Sequence, residues 1–427
     1  MADVDTALVS QLCKAVDDGF DAQVAFLADL TRQPSLRERE APAQDLMARA
    51  MRERGLSVDR WKVEVKDIEH LPGFSPVAVS YDNAWNVVGT HRPAGTPGRS
   101  LILNGHIDVV PTGPLDMWTT PPFEPRVDGD WMYGRGAGDM KAGLAANLFA
   151  MDALARLGLQ PAGEVYLQSV VEEECTGNGA LACLQRGYRG DAAIIPEPSG
   201  EGLTSAQVGV MWFQVKVRGK PAHVAVAGTG ANAIEACWPL MQALHRLEHD
   251  WNEHGHEAFA GHKHPINFVV SKIEGGDWTS SVPAWCTFDM RIGLFPGQKL
   301  ADVRAEVEAC IARAAEADPF LRGNPPQVSY HGFQAEGYAL PKGTAAQAVL
   351  AQCHQAVVGK PLTEHSGTGT TDARFFGLYA NIPSLVYGPR AENIHAFDER
   401  VSLDSMRRVT QTIALFIAQW CGTQRKV

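Results

Sequence analysis

Apolar positions along this chain follow two different rhythms, and the change between them predicts how it is divided. In the first sixty residues Val24, Leu27 and Leu30, then Leu46, Met47 and Ala50, recur at helical spacing and predict helices. A Pro- and Gly-rich stretch covers 71–99, with Asn86, Val87 and Val88 as a short strand inside it. SLILNGHIDVVP, bounded by Gly98 and Pro111, is an apolar-rich run, the pattern of a parallel strand buried on both faces. An Ala-, Leu- and Met-rich pattern over 140–157 predicts a helix ended by Gly158. VYLQSVVEEE and DAAIIPEP read as two further buried strands. Strands alternating with helices imply an α/β domain with a mostly parallel sheet and helices on both faces. Sites in such sheets form at the carboxyl ends of the strands, and all three of these strands end in metal-binding side chains.

The rhythm changes near Gly209. VMWFQVKVRG alternates as a half-exposed antiparallel strand does, ANAIEACWPLMQALHRLEHDW is helical, and INFVVSKIEGG and AWCTFDMRIG are strands again. A helix over 300–317 follows. Alternating strands with helices predict a smaller α+β insert covered on one face. After Pro325 and Pro326 the chain is expected to return to the first domain, ending in strand PSLVYG and a helix from Asp404. The expected division is 1–208 and 325–427 for the α/β domain, with 209–324 inserted.

Composition narrows the function classes. The 427 residues carry a formal net charge of −11 without a Lys/Arg cluster, which argues against nucleic-acid and anionic-membrane partners. No stretch approaches the roughly 18 apolar residues of a membrane span, and the N-terminus lacks a basic region followed by an apolar run. The eight cysteines are scattered without a CxxC pair, as in a reduced protein, so a cytoplasmic location is expected.

The chemistry sits at the strand ends. His106 and Asp108 alternate along one strand and so project to the same side. A metal-binding histidine usually has its other ring nitrogen held by an acceptor, and Asp108 is the candidate, although an isolated His-x-Asp is more often an ordinary strand end. Asp139 lies in YGRGAGDMKAG, where glycines let a carboxylate be aimed into a cleft. The G-x-G-x-G spacing there is not the dinucleotide fingerprint. Glu172, Glu173 and Glu174 follow a buried strand, where their mutual repulsion calls for a cation. Read singly they are also compatible with an exposed loop. Glu197 closes the next strand, and His395 follows PSLVYGP in a loop. Imidazoles mixed with carboxylates suit zinc, cobalt or manganese, and a hydrolytic pair of such ions needs a bridging carboxylate. No G-x-S-x-G elbow or catalytic cysteine signature competes with this reading.

In their order, NGHIDVVP, the stretch around Trp118 and Phe123, YGRGAGDMKAG, SVVEEECTGNGAL, PEPS, GKPAH, GANAIEA, SVPAWCTFDMRIG, GTGTTDAR and NIHAFDERV resemble one family. It is the dinuclear zinc metallopeptidase and amidohydrolase family of acetylornithine deacetylase, succinyl-diaminopimelate desuccinylase, aminoacylase and bacterial glutamate carboxypeptidase. The likeness runs from about Asn86 to Val401 and is nearest to the acetylornithine deacetylase branch. It implies that His106, Asp139 and Glu197 hold one divalent ion and Asp139, Glu174 and His395 a second, with Asp139 bridging and Asp108 orienting His106. Glu173 would be the general base that takes a proton from a metal-bridging water and passes it to the leaving amine. His223 would reach across a homodimer, formed through the insert acting as lid and dimerisation domain, to stabilise the oxyanion. Without the resemblance, His223 reads as a surface residue after a turn. Arg291 would grip a substrate carboxylate, and the Asp139–Met140 peptide is expected to be cis.

Three departures leave the expected ligands in place, and the last of them bears on substrate identity. Glu172 and Ala142 stand where Asp and Gly are common, and the lid asparagine is absent from DWTSSVP, with Ser280 or Ser281 as candidate replacements. The histidines His254, His256, His262 and His264 read as a solvated loop. The expected activity is metal-dependent hydrolysis of the amide bond of an N-acyl amino acid or a related small acylated amine, with two ions, Zn2+ first and Co2+ or Mn2+ as alternatives. A dipeptidase or carboxypeptidase, or a deformylase of a formylaminopyrimidine, is the alternative on the same scaffold.

Overall fold

Nine strands build the larger sheet of the computed structural model, which describes residues 5–95 and 98–426. At its centre Val165–Val170, Leu101–His106, Ala193–Ile195 and Ser384–Val386 lie side by side and parallel. Their carboxyl ends therefore share one edge of the molecule. The flanks are mostly antiparallel, with Trp85–His91 and Ser57–Lys62 on one side and Leu203–Gln207 with Tyr338–Ala339 on the other, where Glu364–Gly367 also pairs in parallel with Leu203–Gln207. Leu101–His106 is buried at every position, as an apolar run covered on both faces must be. Helices Ala142–Arg156 and Leu403–Cys421 pack on each other and on this strand, closing the main core.

The helical expectation for the first sixty residues holds through Ala41–Glu53 and fails beyond it. Gly55 turns the chain at φ 76°, and Ser57–Lys62 pairs with Trp85–His91. Its six residues, with Val58 and Trp61 among them, are better suited to an edge strand than to a helix.

The second sheet is wholly antiparallel, in the order Phe268–Gly275, Trp285–Leu294, Gly209–Arg218, Gln327–Ala335. Met211, Phe213, Val215 and Val217 alternate onto the face covered by helices Ala233–His254 and Leu300–Ala317, making a separate core. The strand after Pro325 and Pro326 belongs to this sheet, so pairing in the insert continues about ten residues past the expected return. The prolines end one element, but Val328 and Tyr330 keep the alternation and pack on the second core. Among the described residues no helix is long and apolar enough to cross a membrane.

Helix Ala345–Val358 starts at Thr344, whose hydroxyl accepts the Gln347 amide at 3.1 Å and satisfies one of the helix's free N–H groups. Thr344→Ala should cost about 1 kcal/mol, measured by urea unfolding.

Candidate metal centre

The parallel strands deliver their terminal side chains to a single point. His106 ends Leu101–His106 in register with Val170, and the turn after Val170 carries Glu173 and Glu174. Glu197 follows Ala193–Ile195, and Asp139 sits in the turn before helix Ala142–Arg156, at a cis Asp139–Met140 peptide. His395 comes from the loop after Ser384–Val386, held at φ 61°, a conformation rare without glycine.

His106 Nε2 lies 3.2 Å from Asp139 Oδ1, 3.7 Å from Glu197 Oε2 and 3.9 Å from Glu173 Oε2. On the other side of Asp139, His395 Nε2 is 3.4 Å from Oδ2 and 3.1 Å from Glu174 Oε2. Asp139 thus presents one oxygen to each imidazole, the disposition of a bridge. Ligand atoms about 2.0–2.2 Å from one ion in a tetrahedral shell are roughly 3.4 Å from each other, which matches these separations. Two groups of potential ligand atoms, from His106, Glu173 and Glu197 and from His106, Asp139 and Glu174, each fall within 4.8 Å.

Electrostatics point the same way. Burial and neighbouring acids, against the pull of His106, raise Glu197 to about 8 and Glu173 well above the carboxylate range. Against the cost of their burial, Glu197 and Asp139 raise His106, while Glu174 and Asp139 raise His395 to about 11. Both imidazoles lower Asp139 despite its burial. Four carboxylates thus compete for the positive charge of two imidazoles, a balance that divalent cations complete. The donor set fits a pair of divalent ions.

Asp108 is buried here, but with a different reach from the one expected. His106 Nδ1 meets the main-chain oxygen of Asp108 at 2.9 Å, whereas the carboxylate is 3.7 Å away. The carboxylate instead accepts the amides of Glu173 at 3.2 Å and Glu174 at 3.1 Å, tying two strand ends together. Arg291, on Trp285–Leu294, donates to the carbonyls of Asn267 and Thr368, both at 3.4 Å. Bonds that long leave donors for a ligand. His223 is exposed, its Nδ1 accepting the Ala225 amide and its backbone bridging to Ser281. These contacts are with its own loop and with Ser281, not with the carboxylates. Of the solvated histidines, His256 stacks on Phe295 at 5.5 Å, and His264 bonds Glu248.

Glu399 went unmarked in the sequence. Its carboxylate, 1% exposed, accepts the amides of Gly138 and Asp139 at 3.0 and 3.1 Å and pairs with Arg135 at 2.6 Å. It therefore holds the turn that carries Asp139. Lys141 is equally hidden, its Nζ donating to the carbonyls of Leu30 and Gln33. A local reading of FDERV offers only a charged loop, since the partners are some 260 residues away.

Residues 102–419 match the model of peptidase family M20/M25/M40. The chain belongs to this family. N-formyl-4-amino-5-aminomethyl-2-methylpyrimidine deformylase of Halalkalibacterium halodurans is 30% identical over 98% of this chain and 99% of that protein. Succinyl-diaminopimelate desuccinylase of Stenotrophomonas maltophilia is 29% identical over 90% and 95%. The solved structure of the di-peptidase Dug1p from Saccharomyces cerevisiae superposes with a TM-score of 0.78 at 14% identity, covering 96% of this chain and 98% of that one. Human carnosine dipeptidase 1 gives 0.76 at 14%, covering 96% and 99%. At such identities these two establish the shared fold. Like other M20/M25/M40 members, the chain is a metal-dependent hydrolase of amide bonds.

Proposed function

We propose that this hydrolase is a deacylase that frees a small acyl group from an amine, with Glu173 as general base. The observation that carries the reading is the convergence of His106, Asp139, Glu174, Glu197 and His395 around Asp139, with Glu173 on the same side at 3.9 Å from His106 Nε2. The first set would be His106, Asp139 and Glu197 and the second Asp139, Glu174 and His395, with zinc favoured by the donors and cobalt or manganese as substitutes. Two bound ions would activate water near neutral pH and polarise the scissile carbonyl. Glu173 takes the proton released by water and returns it to the departing amine.

For the substrate, we favour a formylated aminopyrimidine, supported by the full-length likeness to the H. halodurans deformylase. The free donors of Arg291 favour a second reading, an acyl amine bearing a carboxylate, which includes acetylornithine-like and succinylated amines and dipeptides.

We also infer a homodimer through the insert, whose extent we set at 209–335. Strand Phe268–Gly275 is the open edge of its sheet, and Ile273, Trp238 and Trp278 stand exposed on or beside it, Trp278 at 73%. An unpaired edge with apolar neighbours is a surface that proteins ordinarily cover. The eight free cysteines suit a reducing compartment, and we assign the chain to the cytoplasm.

The test is an add-back series. Chelator-stripped protein, given zinc, cobalt or manganese, is expected to release free amine from N-formyl-4-amino-5-aminomethyl-2-methylpyrimidine faster than from acetylornithine, succinyl-diaminopimelate or dipeptides. Preference for a carboxylated amide would replace the pyrimidine reading with the second one. Metal-independent turnover would remove the two-ion mechanism.

A further inference from the structure

The turn that presents Glu173 and Glu174 is gripped from behind by a part of the chain that lies outside the family match. Glu172, the first residue of that turn, has φ 67°, a left-handed conformation that a side chain adopts only when its surroundings hold it there. Its carboxylate, 3% exposed, is bound at both oxygens by Arg37, with Nε to Oε1 at 2.5 Å and Nη2 to Oε2 at 2.6 Å. Tyr81 donates to Oε2 at 2.8 Å and Thr176 at 3.2 Å. The main-chain oxygen of Glu172 accepts the amides of Thr176 and Gly177, closing the turn.

Arg37 is itself anchored. Two residues earlier, the Ser35 hydroxyl donates to the oxygen of Ile107 at 2.6 Å, and the Ser35 oxygen accepts the Val109 amide at 3.0 Å. Lys141 bonds the carbonyls of Leu30 and Gln33 on the same segment. Residues 30–37 therefore touch the strand end carrying His106 and Asp108, the turn of Asp139 and, through Arg37, the turn of Glu173. A two-point guanidinium–carboxylate pair fixes direction as well as distance, and this pair is set one residue before the base.

We infer that Arg37, acting through Glu172, is a positioning residue for Glu173. The assignment rests on the proposed role of Glu173 as base, and goes beyond it by naming what holds that base in place. Glu172 carries no ligand role, and Arg37 and Tyr81 both fall outside residues 102–419. The clamp fixes the direction in which the carboxylate of Glu173 projects rather than contributing to binding.

The experiment compares wild type, Arg37→Ala and Arg37→Lys, each loaded with zinc. Supporting groups of this kind are typically worth about 10–100-fold in activity. Arg37→Ala is expected to lose that much in kcat, with KM within about twofold and zinc content unchanged, since the lost interaction aligns the base rather than binding substrate. Arg37 is 24% exposed at the side chain, so millimolar guanidinium chloride can enter the space left and should restore part of kcat. Arg37→Lys, with a single-point ammonium, should fall between the two. A second readout needs no turnover. Hydrogen exchange in peptides spanning 171–178 should quicken in Arg37→Ala and slow again with guanidinium. Full kcat in Arg37→Ala, zinc loss parallel to activity loss, or unchanged exchange over 171–178 would each overturn the assignment. Wild type inert on every amide, with the exchange effect intact, would instead fault the proposed reaction and leave the clamp standing.

Discussion

Glu173→Gln is expected to lower kcat by about 10²–10⁴-fold, the usual worth of a positioned general base, while the protein keeps its full complement of metal. Glutamine preserves the shape of this buried side chain and so disturbs little of the packing, but its amide cannot take a proton from water. The residue is 6% exposed and 3.9 Å from His106 Nε2, near enough to the other carboxylates to act beside them. Burial comes first among the causes that raise its proton affinity, and Glu197, Asp372 and Glu174 add to it against His106. Steady-state kinetics together with elemental analysis of the purified variant check both halves of the expectation. Near-normal kcat would dismiss Glu173 as the base. Loss of metal together with activity would make it a ligand instead, a reading that its closeness to His106 keeps open to measurement.

The second large effect concerns His223. Within one chain it is exposed and engaged with Ala225 and Ser281, apart from the carboxylates. If it serves the site of a second copy, His223→Ala should cost about 10²–10³-fold in kcat, the worth of one oxyanion donor, without loss of metal. A sharper consequence follows from two-fold symmetry. In a dimer of one Glu173→Gln chain and one His223→Ala chain, the intact base of the second meets the intact histidine of the first. Co-expression at equal levels makes about half of the dimers mixed, each with one competent site, so about a quarter of wild-type activity should return. Mixed dimers no more active than either parent would confine His223 to its own chain or to no role at all.

The strand ends could be read from sequence because each is marked locally. An apolar-rich run such as LILNGH, closed by His106, records burial on two faces, and SVVEEE and IIPEP repeat the pattern at Glu173, Glu174 and Glu197. The alternation of Met211, Phe213, Val215 and Val217 likewise announced a sheet covered on one side. Boundaries were less legible. Prolines at 325 and 326 looked like the end of the insert, yet Gln327–Ala335 pairs with Gly209–Arg218, because pairing depends on a partner more than a hundred residues away.

Sequence by itself therefore determined the kind of sheet, the strands that end in imidazoles and carboxylates, and the chemical types of those candidate ligands. These follow from side-chain period and burial, which each short segment carries on its own. Tertiary structure alone decided how the segments that carry these side chains are held. It gave Asp108 the amides of Glu173 and Glu174, gave Glu399 the amides of Gly138 and Asp139, and gave Glu172 the guanidinium of Arg37. Each of these bonds joins segments separated by 65 to 261 positions, and a hydrogen bond between such distant groups leaves no period in either segment. Only the packing of the sheet and its helices brings those partners within reach.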